Sequence, residues 1–184
     1  NSVGVIDISN FAKYLVSGDG SESWLNSIFA NRMPKNIGRS CLTPLIGKRG
    51  GIAGDFTVTH LEKDKFLIIG SGMAERYHSR YFKSVPLPGN VSFESITEKM
   101  CGFNVAGPKS REMLSRLSNA DFSTELFPFM TAKRINLLGL SVIAVRVSFT
   151  GDLGWELYCD TVDQVELCNS LVTIAKELNG GPIG

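Results

Sequence analysis

Residues 148–157 have the sequence Ser-Phe-Thr-Gly-Asp-Leu-Gly-Trp-Glu-Leu, a polar, glycine-containing loop that runs directly into a short strand. Successive side chains of a strand point to opposite faces, which separates Trp155 from Glu156. A carboxylate beside an aromatic platform suits a flat heterocycle with adjacent N–H donors, because its two oxygens accept two parallel hydrogen bonds. The alternative is an exposed Glu156 on an edge strand, with Trp155 in the core.

The segments around this stretch predict a mixture of strands and helices. Two strands, about 133–138 and 140–148, meet at Gly139, and a helix covers about 161–178. The apolar face of that helix is predicted to carry Val162, Val165, Cys168, Leu171 or Val172, Ala175 and Leu178.

Nearer the N-terminus, the pattern predicts a β-hairpin from segments 54–61 and 66–69, and then a helix over 73–84. That helix is expected to bury Ala74, Tyr77 and Tyr81. Because successive strands often meet in tight turns, the fold class predicted is α+β with antiparallel sheets, and not a doubly wound parallel sheet.

Composition excludes several classes of protein. The chain has 184 residues, 43% of them hydrophobic, and a net charge of +1, so no strong field exists to hold nucleic acid or an acidic membrane. Its longest nearly apolar run, 137–145, is far short of the ~20 residues of a spanning helix. Four separated cysteines and two histidines make a metal site improbable, and buried, reduced cysteines are expected instead. We find no phosphate-binding loop, dinucleotide fingerprint or serine-hydrolase elbow.

A second candidate site lies in the glycine-rich stretch 49–58, Arg-Gly-Gly-Ile-Ala-Gly-Asp-Phe-Thr-Val. Glycines permit close approach of backbone or ligand, and they deliver one acid, Asp55, to the start of a β-rich segment. Flanked by apolar residues, Asp55 is a candidate for partial burial and for a hydrogen bond to a ligand nitrogen. The alternative is a turn-capping aspartate that accepts from nearby backbone N–H groups. The pair Gly107-Pro108 is interpreted as an ordinary helix start.

Four motifs in order resemble one family. They are Val3–Tyr14 (Val-Gly-Val-Ile-Asp-Ile-Ser-Asn-Phe-Ala-Lys-Tyr), Arg49-Gly50-Gly51 with Asp55, Gly107-Pro108, and Ser148–Tyr158. Together they resemble the folate-binding aminomethyltransferase (glycine cleavage T-protein) family over essentially the whole chain. Ile28–Asn31 and Ser148–Gly151 are most similar to the C-terminal region of dimethylglycine and sarcosine dehydrogenases.

The resemblance implies intertwined α+β subdomains around a central tetrahydrofolate channel, approximately 1–41 plus 140–184, and 42–139, in a chain that is part of a longer polypeptide. It implies that Asp55 is the central catalytic acid and that Glu156 binds the aminopyrimidine edge of the pterin. Cofactor contacts are implied for Phe11, Leu15, Phe149, Leu42 and Thr59. Leu42 and Thr59 stand where many transferases carry tyrosines, and Phe149 also replaces a tyrosine, so hydrogen-bond partners for folate are lost.

The function implied is capture of a methylene unit by tetrahydrofolate from a small methylated amine, in a dimethylglycine or sarcosine dehydrogenase-like enzyme. Any FAD would belong to a separate flavin domain. One alternative is aminomethyl transfer from a lipoyl carrier protein of the glycine cleavage system. Another is a non-catalytic folate-binding or regulatory module on the same fold. The location expected is cytoplasmic, or the mitochondrial matrix in a eukaryote, and neither nucleic acid nor membrane is an expected partner.

Overall fold

The computed structural model describes residues 2–47 and 49–184 and builds eleven strands and four α-helices from them. The strands are β1 (Gly4–Asp7), β2 (Ala12–Ser17), β3 (Ser40–Ile46), β4 (Ile52–Glu62), β5 (Lys65–Gly70), β6 (Ser92–Ser95), β7 (Met100–Ala106), β8 (Thr131–Leu137), β9 (Leu140–Arg146), β10 (Gly154–Asp160) and β11 (Gly181–Pro182). The helices are α1 (Ser21–Ile28), α2 (Glu75–Ser84), α3 (Ser110–Leu117) and α4 (Gln164–Glu177). Within the described ranges, no helix is long and apolar enough to cross a membrane.

The chain forms two compact units. The terminal unit combines the segment before residue 11 with residues 98–184, and the inserted unit is residues 11–97. These boundaries differ from the expected division, 1–41 plus 140–184 and 42–139. The difference arises because β2 pairs with β5 and β6, which keeps it in the inserted unit, whereas β7 pairs with β1 and β10.

The terminal unit contains a sheet with the strand order β11-β1-β7-β10-β9-β8. Its pairs are antiparallel except for β1 with β11, which joins the two ends of the chain in one sheet. One face packs against α3 and α4 and buries Trp155, with the rings of Phe122 and Phe127 edge-on to it at 5.6 and 6.0 Å. We call the opposite face of this sheet the terminal far face.

The inserted unit contains a sheet with the order β3-β4-β5-β2-β6, in which all pairs are antiparallel. One face packs against α1 and α2 in an aromatic core centred on Phe82, whose ring lies 5.7 Å from Phe56 and 5.1 Å from Phe93. We call the opposite face of this sheet the inserted far face. The α+β class with antiparallel sheets is confirmed.

Both predicted hairpins are present, and both turns contain residues with positive φ. Asp64, in the turn between β4 and β5, has φ 54°. Leu138 and Gly139, between β8 and β9, have φ 53° and 94°, the pairing typical of a type I′ hairpin.

The predicted faces of two helices were wrong in part, although Leu171, Ala175 and Leu178 of the predicted α4 stripe are buried. In α2 the buried residues are His78 and Phe82, while Tyr77 is half exposed, because a phenol keeps its hydroxyl in water and Phe82 fills the aromatic core. In α4 the buried stripe is Leu167, Leu171 and Ala175, and it continues to Leu178. Val162 and Val165 are exposed, since Val162 precedes the helix and Val165 lies two residues before Leu167, on the opposite side.

Candidate functional site

Asp55 lies inside β4, opposite Pro44 of β3, and its side chain is exposed. The expectation of partial burial was therefore wrong. The turn-capping alternative is also excluded, because Asp55 is a strand residue and its carboxylate accepts no hydrogen bond from residues 2–47 or 49–184. An exposed carboxylate that accepts no hydrogen bond from a described residue is available to a ligand.

The sheet register places the predicted residues of the inserted unit on one face. Leu15 pairs with Leu67, Leu67 with Thr59, and neighbours in register point to the same side. Leu42 pairs with Thr57, which lies between Asp55 and Thr59 on the same side of β4. All four residues therefore share the inserted far face.

Two of these residues differ in what they offer a ligand. Leu42 is 59% exposed and presents an apolar surface. Thr59 is buried, and its hydroxyl forms a hydrogen bond of 2.8 Å with the Ser40 hydroxyl. Phe11 directly precedes β2 and, like Leu15, is partly buried.

Lys13, which lies between Phe11 and Leu15, is a further residue of this face and was not predicted from the sequence. Lys13 is fully buried on the inserted far face, in register with Ile69, and its ammonium donates to the Phe11 carbonyl at 2.7 Å. A lysine flanked by Ala12 and Tyr14 in a strand is the signal that could have identified it, because lysine is almost never fully buried without partners.

His78 lies directly behind the segment that carries Asp55. Its Nε2 is 3.2 Å from the Ala53 carbonyl, and its ring packs 4.7 Å from the Phe56 ring. A carbonyl only accepts, so Nε2 carries the proton. A Cβ on Gly54 would lie 2.5 Å from Nε2, so glycine is what lets the ring come this close. Burial lowers the pKa of His78, while the bond to Ala53 and the charge of Asp55 raise it.

Glu156 is half-buried on the terminal far face of β10, which lies between β7 and β9 and is not an edge strand. Trp155 is completely buried on the other face, so it does not form a platform for Glu156, contrary to the expectation. The Tyr158 hydroxyl donates to Glu156 Oε2 at 2.7 Å. Burial raises the pKa of Glu156, and the bond from Tyr158 lowers it.

Phe149 lies in the loop before β10 and its side chain is fully exposed. The loop is held by the Thr150 hydroxyl, which donates to Asp152 at 2.8 Å, and by Gly151 with φ 87°. The terminal unit therefore carries Glu156 and Phe149 on one strand and the loop that enters it, while the inserted unit carries the other predicted residues.

The chain is similar to a known protein family and to several characterised proteins. The family model described as the GCVT N-terminal domain matches residues 1–184. Over 184 residues the chain is 33% identical to dimethylglycine dehydrogenase, mitochondrial, of Mus musculus, covering 99% of this chain and 21% of that protein. It is 25% identical over 185 residues to an aminomethyltransferase of Thermoanaerobacter sp. (strain X514), covering 100% of this chain and 50% of that protein.

A solved structure supports the same assignment of fold. The glycine cleavage system aminomethyltransferase T from Bartonella henselae superposes with a TM-score of 0.81 at 19% sequence identity, covering 93% of this chain and 45% of that chain. The chain thus spans about a fifth of the mouse dehydrogenase and half of the bacterial aminomethyltransferase. With a family model matched along its whole length, the chain belongs to the GCVT N-terminal domain family.

Proposed function

We propose that this domain carries out tetrahydrofolate-dependent one-carbon transfer, in which folate captures a methylene unit from a methylamine-derived donor to form 5,10-methylenetetrahydrofolate. The observation that carries the proposal is the Glu156 carboxylate, half-buried on a central strand and fixed by the Tyr158 hydroxyl. Membership of the GCVT N-terminal domain family supports it.

The residues present fit the pterin of a folate. Its aminopyrimidine edge carries adjacent N–H donors, and the Glu156 carboxylate has lone pairs left for them after accepting from Tyr158. Hydrogen bonds to a charged acceptor in a half-buried place are strong enough to orient a ligand. Phe149, in the loop that enters the same strand, would supply an apolar contact, which needs no hydroxyl. In the inserted unit, Leu42, Leu15 and Phe11 stay predicted apolar contacts. The bound folate would supply the nitrogen nucleophiles that accept the one-carbon unit.

Asp55 would be the catalytic acid. Its exposed carboxylate can stabilise positive charge that develops on the donor and can accept or return a proton. His78 and Gly54 fix the backbone from which this side chain projects. Thr59 would support the inserted far face indirectly, because its hydroxyl is bonded to the Ser40 hydroxyl within the sheet.

The donor proposed is a small methylated amine such as dimethylglycine or sarcosine, since 33% identity connects the chain with a dimethylglycine dehydrogenase. Oxidation of the amine would take place on a flavin domain outside these residues. In a eukaryote, the matrix would be the location, as the relative's mitochondrial name suggests. The second candidate, aminomethyl transfer from a lipoyl carrier, is favoured by the match to half of an aminomethyltransferase.

The test is to supply the native protein with tetrahydrofolate and, separately, each class of donor. The donors are dimethylglycine or sarcosine with an electron-accepting dye, and an aminomethylated lipoyl carrier. We expect folate-bound one-carbon product, detected by mass spectrometry, from the methylated amine. Product from the lipoyl carrier alone would overturn the proposal in favour of the second candidate. Folate binding without product from either donor would overturn it in favour of a regulatory module.

A further inference from the structure

Tyr158 is the one residue of the described chain that donates a hydrogen bond to Glu156, and it lies two positions further along β10 on the same face. The register neighbours of Glu156 on the flanking strands are Asn104 and Val145, neither of which ionises. Burial strongly raises the pKa of Tyr158, and the neighbouring Glu156 raises it further, so the hydroxyl stays protonated and acts as a donor.

The position of the Tyr158 ring is fixed by its neighbours on the sheet. Tyr158 is paired with Gly102 of β7 on one side and with Ile143 of β9 on the other. A Cβ on Gly102 would lie 2.8 and 2.9 Å from two ring carbons of Tyr158, and 3.2 Å from Ile8 Cγ1. The ring is fully buried over the bare glycine backbone, so its hydroxyl has little freedom to leave Glu156.

We propose that Tyr158 is a positioning residue for folate recognition, holding Glu156 in the rotamer and the charge state that receives the pterin. This inference rests on the proposed function. A carboxylate already fixed before binding loses less rotational freedom when the ligand arrives, so affinity is gained without a direct contact. The hydroxyl also favours the ionised carboxylate, which opposes the effect of burial.

The experiment is calorimetric titration of the native protein with 5-formyltetrahydrofolate, at a series of pH values, for wild type and Tyr158→Phe. We expect the variant to bind about tenfold more weakly, as for loss of one charge-assisted hydrogen bond. On acidification, we also expect the affinity of the variant to begin to fall at a higher pH than the affinity of wild type. The reason is that Glu156 loses a bond that favours its charged form. A purely structural role of Tyr158 would leave this pH profile unmoved.

Tyr14→Phe is the matched control. Tyr14 is also fully buried, but its hydroxyl donates to the Glu75 carbonyl at 3.3 Å in the inserted unit, so its loss should leave the pH profile unchanged. Absence of folate binding in wild type would contradict the proposed function itself. Binding in wild type that weakens in Glu156→Gln, yet keeps its affinity and pH profile in Tyr158→Phe, would overturn the role of Tyr158 alone. If Tyr158→Phe does not fold, Gly102→Ala, which keeps the hydroxyl but displaces the ring, is titrated instead.

Discussion

The two candidate acids occupy comparable positions in the two units but have different surroundings. Each lies on a strand, on the sheet face opposite the helices of its own unit. Asp55 is exposed and accepts no hydrogen bond within residues 2–47 and 49–184, whereas Glu156 is half-buried and holds the Tyr158 hydroxyl at 2.7 Å. The Asp55 carboxylate is exposed to solvent, whereas the Glu156 carboxylate is held by a hydrogen bond.

This difference indicates a division of labour. A group that recognises a ligand benefits from being held in place beforehand, because ordering it on binding costs affinity. A group that relays a proton must reach the reacting atoms and change its protonation state. We therefore propose that Glu156 serves recognition and that Asp55 serves the transfer chemistry.

The largest expected effect is that of Asp55→Asn on turnover. We expect the rate of one-carbon transfer to fall roughly hundredfold to ten-thousandfold, the range for loss of a general acid or base. The free energy of unfolding should stay within a few tenths of a kcal/mol of the wild-type value, because the side chain is exposed and makes no hydrogen bond to a described residue. The measurements are single-turnover formation of folate-bound product and the unfolding temperature.

Asp19→Asn is the control for this variant, since Asp19 is an exposed aspartate in the same unit. Turnover near the wild-type rate in Asp55→Asn would remove Asp55 from the chemistry. A large loss in both variants would mean that the effect is not specific to Asp55.

A smaller effect is expected from Gly102→Ala. The new methyl group would collide with the Tyr158 ring, so we expect a loss of about 1–3 kcal/mol in the free energy of unfolding and several-fold weaker folate binding. Urea denaturation and calorimetry measure the two quantities. Gly181→Ala, a position in the same unit where a Cβ meets nothing within 4 Å, should change neither. Equal behaviour of the two variants would show that Tyr158 is not held by Gly102.

The smallest effect is a dependence of stability on pH through His78. Burial lowers its pKa in the folded state below the ordinary 6.5, so the unfolded chain binds a proton at a higher pH than the folded chain. Stability from this residue is therefore complete above about pH 6.5 and is lost as pH falls through the folded pKa. His78→Gln, whose amide can still donate to the Ala53 carbonyl, should lose less stability between about pH 7.5 and 5.5 than wild type. Urea denaturation measures this loss, and an equal loss in wild type and in His78→Gln across that range would contradict the expectation.

Local chemistry made much of the fold predictable. Asp64 and Gly139 tolerate the positive φ of the two hairpin turns, and the strand pairs on either side follow from these turns. The faces of α2 and α4 were not predictable in the same way, since apolar residues occur on more than one side. Packing decides which side is buried: α2 faces the aromatic core around Phe82, and α4 faces the core that contains Trp155.

The residue types of the candidate site could be predicted from the sequence, but the exposure and the contacts of those residues could not. Motif order made Asp55 and Glu156 candidates, and their roles stay predictions, while the exposure of the first and the tyrosine bond of the second depend on strand register. We did not predict the contacts of Lys13, His78 and Tyr158, because each contact forms only when the strands and helices have folded together. Of these, Lys13 alone carried a signal in the sequence.

The role of Glu156 in folate binding is tested by calorimetric titration of the native protein with 5-formyltetrahydrofolate. The titration compares wild type with Glu156→Gln and Glu166→Gln. Glu166 is an exposed glutamate on α4 of the same unit and serves as the control. We expect saturable binding in wild type and in Glu166→Gln, and binding about tenfold to a hundredfold weaker in Glu156→Gln. No binding by folded wild-type protein, or an unchanged dissociation constant in Glu156→Gln, would contradict it.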